Sequence, residues 1–217
     1  MNLRLWVLAC CLTWLGTAVA TKPHTKVQQA YNVLFVGNSL TQGNDLPKLV
    51  KQDAARRGIT VNTAVVAKGG YAIVDHWAEG RVQQLVRSTR FDFVVIQQGP
   101  SSQLDGYQML VNGGADYARL CQENGCRLAY FMVWPSIAWF HTFPGVIRNY
   151  TAGAEANNAI LIPVGQVWKD HIEATGDYSY YGSDGFHPSR AGSEKAAEVI
   201  VNTLFQPQTC GCAAKIK

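Results

Sequence analysis

Three short stretches of this chain carry residue types that together suit acyl transfer. Ser39 stands in Gly37-Asn38-Ser39, where the apolar run Val33-Leu34-Phe35-Val36 gives way to short polar residues. Such a run reads as a strand buried on both faces of a parallel sheet, and the polar residues suit a tight turn at its carboxyl end. A serine lifted off a rigid strand is placed to be a nucleophile; taken alone, Gly-Asn-Ser reads first as a turn whose serine caps the next helix, and the downstream Asp184 and His187 reverse that. Far downstream, Asp184 precedes His187 by three residues in Ser183-Asp184-Gly185-Phe186-His187-Pro188. Attack by a hydroxyl on an ester needs a base beside it and a group that fixes the base's tautomer. His187 and Asp184 supply both from one loop, which Gly185 and Pro188 keep out of a helix. Gly69-Gly70, after another apolar run, presents backbone N–H groups with no side chain in the way of a developing oxyanion.

These stretches must be carried to one place, and the pattern of elements predicts how. Strands are expected at residues 31–36, 59–67, 91–96, 127–134 and 159–163, each short and rich in β-branched or aromatic residues. Helical spacing marks residues 45–57, 73–86, 107–121, 143–157, 166–175 and 190–205, with Ser189 capping the last. Strict alternation with short connections predicts a three-layer α/β/α, flavodoxin-like parallel sheet of about five strands, in a single domain over residues 21–217. Open sheets of this class place their chemistry at the carboxyl ends of the strands. That gathers the loops after Val36, Ala67, Ile96 and Trp134 on one rim, which the Asp184–His187 loop reaches if the last helix folds back along the sheet.

The same residues resemble the conserved blocks of the SGNH (GDSL-type) hydrolases. Gly37-Asn38-Ser39-Leu40-Thr41 is similar to the first block, in the Gly-Asn-Ser form. Gly69-Gly70-Tyr71-Ala72 is similar to the second and Asp184-Gly185-Phe186-His187-Pro188 to the last, and Trp134-Pro135-Ser136 and Pro163-Val164-Gly165 also fit that branch. The resemblance implies a catalytic triad of Ser39, Asp184 and His187, with the N–H groups of Ser39 and Gly70 in the oxyanion hole. One departure stands out. The family's third block carries an Asn whose amide is an oxyanion donor, and here the third strand ends in Gln97-Gln98-Gly99-Pro100. A Gln amide can substitute, Gln98 before Gln97, since Gln98 abuts the rim and strand alternation sends the two to opposite faces.

The implied reaction is hydrolysis of a small ester through an acyl-enzyme, without metal or cofactor. An O-acetyl group on a carbohydrate is the expected substrate. A lysophospholipid or thioester, or a carbohydrate-binding role without turnover, are the alternatives. Tyr71 and Trp134 are the expected substrate contacts; Trp139, Phe140, Tyr180 and Tyr181 also lie in or near rim loops, where they either stack on a sugar or serve ordinary packing. His76 and His141 read as structural.

Composition fits this picture. The 217 residues carry 19 Lys and Arg against 15 Asp and Glu, with no basic run to form a nucleic-acid footprint. Residues 1–20 have the form of a signal peptide: Arg4, an apolar segment, then Ala18-Val19-Ala20. A lipoprotein cut at Cys10 is the weaker alternative. The mature chain is thus expected to be secreted or periplasmic, with no stable membrane association after cleavage. Its Cys121, Cys126, Cys210 and Cys212 suggest disulfides more than a metal site, Cys121 with Cys126 being the local pair.

Overall fold

The structure is a computed structural model that describes residues 30–205. The expected signal peptide, the lead-in after it, and Cys210 and Cys212 lie outside the described residues.

Five strands run parallel in one sheet: β1 (Ala30–Gly37), β2 (Thr60–Ala67), β3 (Phe93–Ile96), β4 (Arg127–Phe131) and β5 (Ile160–Ile162), in the order β2-β1-β3-β4-β5. This is the expected flavodoxin-like sheet. Because β1 lies between β2 and β3, sheet growth reverses there, which opens a crevice at the carboxyl ends of those strands. Ser39 follows β1 and Gln97 follows β3, so both border the crevice. The register sets this: Val36 pairs with Ile96, and Gly37 with Ala67.

Helices cover both faces. On one, α2 (Leu46–Arg56) packs along α9 (Arg190–Phe205). The other carries α3 (Ile73–Glu79), α4 (Arg81–Ser88), α6 (Gly114–Asn124) and α7 (Phe143–Ala156), with α8 (Val164–Thr175) bridging from α7 to α9. Burial of β1, β3 and β4 is near complete, as their apolar runs require. Ser189 caps α9 as expected, its hydroxyl accepting the N–H of Gly192 at 3.1 Å. The capped helix returns along the sheet and brings the preceding loop to the rim.

Two expected helices differ in detail. The 73–86 segment breaks into α3 and α4 at Gly80, whose φ of 75° ends the first helix in the left-handed region. The 107–121 segment begins earlier, at α5 (Leu104–Gln108), and passes through a π-helical turn (Met109–Gly113) before α6. Near the α6–β4 turn, Cys121 and Cys126 lie close together as buried free thiols, Cys126 Sγ being 3.7 Å from Cys121 O.

Candidate active site

Asn38 and Ser39 begin the four-residue helix α1 (Ser39–Gln42). The Asn38 side chain caps it, accepting the Leu40 N–H at 3.1 Å, and its amide donates to Tyr71 O at 3.1 Å. Gly37 has no room for a side chain: a Cβ there would stand 2.3 Å from Thr41 Oγ1 and 2.5 Å from Gln97 Oε1. That close approach lets Gln97 grip the turn. Gln97 Oε1 accepts the Asn38 N–H at 3.0 Å and the Thr41 hydroxyl at 2.8 Å, while Nε2 donates to Asn38 Oδ1 at 3.0 Å and Gln98 O at 2.6 Å. Every polar valence of this buried amide is used within the Ser39 turn and its own strand. Gly37 O accepts from Lys68 N at 3.1 Å and from His76 Nε2 at 2.7 Å, which ties the Gly69-Gly70 loop and α3 to the same point. His76 is therefore structural, as expected from the sequence.

Ser39 Oγ lies 3.0 Å from His187 Nε2, and His187 Nδ1 lies 2.6 Å from Asp184 Oδ2. A carboxylate only accepts, so Nδ1 carries the proton and the Nε2 lone pair faces the serine hydroxyl. The other carboxylate oxygen accepts the N–H groups of Phe186 and His187, each at 2.9 Å. Donation from His187, then from Phe186, holds the Asp184 carboxyl at about 2, so it is ionised throughout the neutral range. Gly185 takes a φ of 68° to turn this loop.

The sequence does not reveal what anchors the loop. Asn44, at a φ of 53°, donates to Pro188 O at 3.0 Å, Ser189 O at 3.1 Å and Ser193 Oγ at 2.9 Å, fastening the histidine loop to the turn that follows the serine. An Asn in the left-handed region marks a turn, but its distant partners leave no local trace in the sequence.

Ser39, Gly70 and Gln98 line one groove of about 340 Å³, together with Tyr71 and Met109. Among the described residues, the N–H groups of Ser39 and Gly70 have no acceptor. Gly70 has a φ of 77°, which its missing side chain permits. Gln98 differs from expectation. Its amide donates to Ser101 Oγ at 2.7 Å and Gly106 O at 3.3 Å, so both N–H groups are committed to the loop after β3, and its buried Oε1 has no donor. The contacts across that loop, not the strand's parity, set the amide's direction.

Trp134 is a correction. It is fully buried, stacks on Trp168 with ring centroids 3.6 Å apart, and donates Nε1–H to Phe186 O at 3.0 Å. The expected substrate contact is a buttress for the histidine loop. Tyr71 does line the groove, with its hydroxyl turned to Lys68 and Glu79. His141 lines a neighbouring groove rather than the triad. Among the described residues no three of His, Cys, Asp and Glu converge as metal ligands would, and no helix is long and apolar enough to cross a membrane.

No family model matches the chain, and no curated protein matches its sequence. Solved structures do. A protein from Slackia heliotrinireducens, provisionally assigned to the SGNH hydrolases, superposes with a TM-score of 0.67 at 24% identity, over 81% of this chain and 99% of its own. A lipase/acylhydrolase from Enterococcus faecalis gives 0.63 at 19% identity, over 79% and 94%. A variant of an acetyl xylan esterase from Geobacillus stearothermophilus gives 0.58 at 16%, over 80% and 94%. At these identities the fold is what is shared: the three-layer α/β/α architecture of the SGNH hydrolases.

Proposed function

We propose that the protein is an exported serine esterase that removes acetyl groups from carbohydrates through an acyl-enzyme on Ser39. The observation that carries this reading is the hydrogen-bonded chain from Ser39 through His187 to an ionised Asp184, opening onto a groove with two unused backbone N–H donors. In the reaction, His187 Nε2 takes the hydroxyl proton as Ser39 Oγ bonds to the ester carbonyl carbon. The carbonyl oxygen becomes the oxyanion and accepts from Ser39 N and Gly70 N. His187 then returns the proton to the leaving alcohol, and a water repeats the sequence to free the acid and Ser39. Asp184 holds the imidazole in the required tautomer throughout.

The groove beside Ser39 is lined by Tyr71, Ala72, Pro100, Met109 and Phe186 as well as by Gln103, and the amides and hydroxyl of Asn38, Gln98 and Ser101 are bonded within the protein, so the acyl preference does not rest on wall polarity. The leader-like residues 1–20 and the acetyl xylan esterase among proteins of this fold support an extracellular acetylated glycan as substrate. A panel of aryl esters with acetyl, butyryl and octanoyl groups, beside acetylated xylo-oligosaccharide, tests the reading. The acetyl compounds are expected to be turned over fastest; a maximum at octanoyl would transfer the protein to the lipase or thioesterase reading.

Gln98 enters this mechanism only if its amide turns, which puts Nε2 in place of the buried, unpartnered Oε1. The Ser101 hydroxyl must then release Gly99 O to donate to Oε1, and the bond to Gly106 O is given up, a cost that an oxyanion on Nε2 has to offset. Gln97→Ala and Gln98→Ala are accordingly expected to differ in kind. The first strands the Asn38 N–H and the Thr41 hydroxyl, at about 1–3 kcal/mol each, and is expected to lower Tm by about 4–24 °C. The second is expected to lower kcat about 10²-fold with KM little changed. Thermal melts and steady-state kinetics check both, and an unchanged kcat in Gln98→Ala leaves the oxyanion to the backbone donors alone.

A further inference from the structure

We infer that a second groove, built around Trp139, is the binding site for the alcohol portion of the substrate and takes a neutral, polyhydroxylated ring. The inference rests on the esterase reading, because it is the direction of proton transfer that assigns the groove. This groove has a volume of about 680 Å³ and shares Pro100, Gln103 and Phe186 with the groove that contains Ser39, so the two are continuous. The oxyanion is held on the Gly70 side. The leaving oxygen must instead face His187 Nε2, which hands it a proton. Phe186 packs edge-on against His187 with ring centroids 5.1 Å apart, and stands where the grooves meet. The alcohol therefore leaves past Phe186, toward Trp139.

Trp139 is 62% exposed, the most of any tryptophan among the described residues, yet its backbone is fixed. Its N–H donates to Ser136 O at 2.9 Å, its carbonyl accepts the Thr142 hydroxyl at 2.7 Å, and Ile137 N donates to Gly185 O at 2.8 Å. The turn that displays the indole is thus bonded to the loop that carries the catalytic pair. A large apolar ring left in water on a rigid backbone is a preformed contact face. Around it stand Ser102, Gln103, Ser136, His141 and Thr142, and no Lys, Arg, Asp or Glu. Hydroxyl and amide groups beside an aromatic face, without Lys, Arg, Asp or Glu, match a sugar: C–H bonds on the indole, hydroxyls on the side chains. A phosphorylated or carboxylated alcohol would find no Lys or Arg there, and His141 alone among the lining residues could carry a cation.

The test compares two acetyl esters with alcohols of different reach. For Trp139→Ala, kcat/KM on acetylated xylotriose is expected to fall about tenfold or more, carried by KM, while kcat/KM on ethyl acetate stays at the wild-type value. Trp139→Phe should recover most of the loss. Equal loss on both esters, or no loss on either, overturns the assignment. Binding is measured separately, by calorimetric titration of acetylated xylotriose into Ser39→Ala and into the double variant Ser39→Ala, Trp139→Ala. Binding in the first that is lost in the second supports the groove even if the wild-type protein fails to hydrolyse esters, which would count against the esterase reading alone. Absence of binding to Ser39→Ala rejects the groove.

Discussion

Ser39→Ala is expected to lower kcat on aryl acetate by 10⁴–10⁶, with KM and thermal stability close to wild type. The magnitude is typical of nucleophiles that act as a unit with their base; what remains comes from binding and oxyanion donors. The selectivity for kcat follows from the position of the side chain. Ser39 Oγ is bonded to His187 alone, and the helix cap and the Gln97 grip are supplied by Asn38 and Thr41. Deleting the hydroxyl therefore leaves the turn standing. Stopped-flow assay of the purified variant with thermal melts of both proteins provides the check. A variant within tenfold of wild type would remove Ser39 from the chemistry.

Asp184→Asn is expected to cost about 10³–10⁴ in kcat, although it removes one charge and scarcely any volume. The reason lies in how the two carboxylate oxygens are divided. Oδ1 accepts the N–H groups of Phe186 and His187, each at 2.9 Å, so an Asn must keep its only oxygen there. Its NH₂ then faces His187 Nδ1 and forces the ring proton onto Nε2. The imidazole presents a donor to Ser39 and cannot take its proton. Mutation of a triad carboxylate to its amide elsewhere has a cost of this order through the wrong tautomer. Proton NMR of the imidazole would show the shift of the ring proton beside the kinetic loss. Full activity in Asp184→Asn would mean that backbone contacts alone orient the ring.

The fold was largely legible in the sequence, because it depends on local signals that repeat. Apolar runs ending in Gly or short polar residues marked the strands of a sheet buried on both faces, and their alternation with helices marked the sheet as parallel; the order β2-β1-β3-β4-β5 is seen only in the structure. Even so, Gly80 divides a segment that reads as one amphipathic helix, since the apolar stripe carries on across the break. The π-helical turn at Met109–Gly113 has no signature in residue spacing. For the site, residue types and order pointed to Ser39, Asp184 and His187, and the structure brings them into hydrogen-bonding distance. Side-chain direction was less readable. Trp134 sits at a rim loop by position, yet the room between α8 and the loop after Asp184 draws its ring inward against Trp168. Gln97 and Gln98 are alike in sequence, and only the close approach at Gly37 shows that Gln97 belongs to the Ser39 turn. Trp139 became distinct from the other rim aromatics only through its exposure.

Covalent capture of Ser39 is the most direct test of its role as the nucleophile. The wild-type protein is incubated at neutral pH with a fluorophosphonate, which phosphonylates activated serines, and the intact mass and peptides are measured. The expected result is a single adduct per chain, located on Ser39, absent in Ser39→Ala and formed far more slowly in His187→Ala, where the hydroxyl has lost its base. No adduct on a folded wild-type protein, or an adduct on a serine other than Ser39, would contradict it.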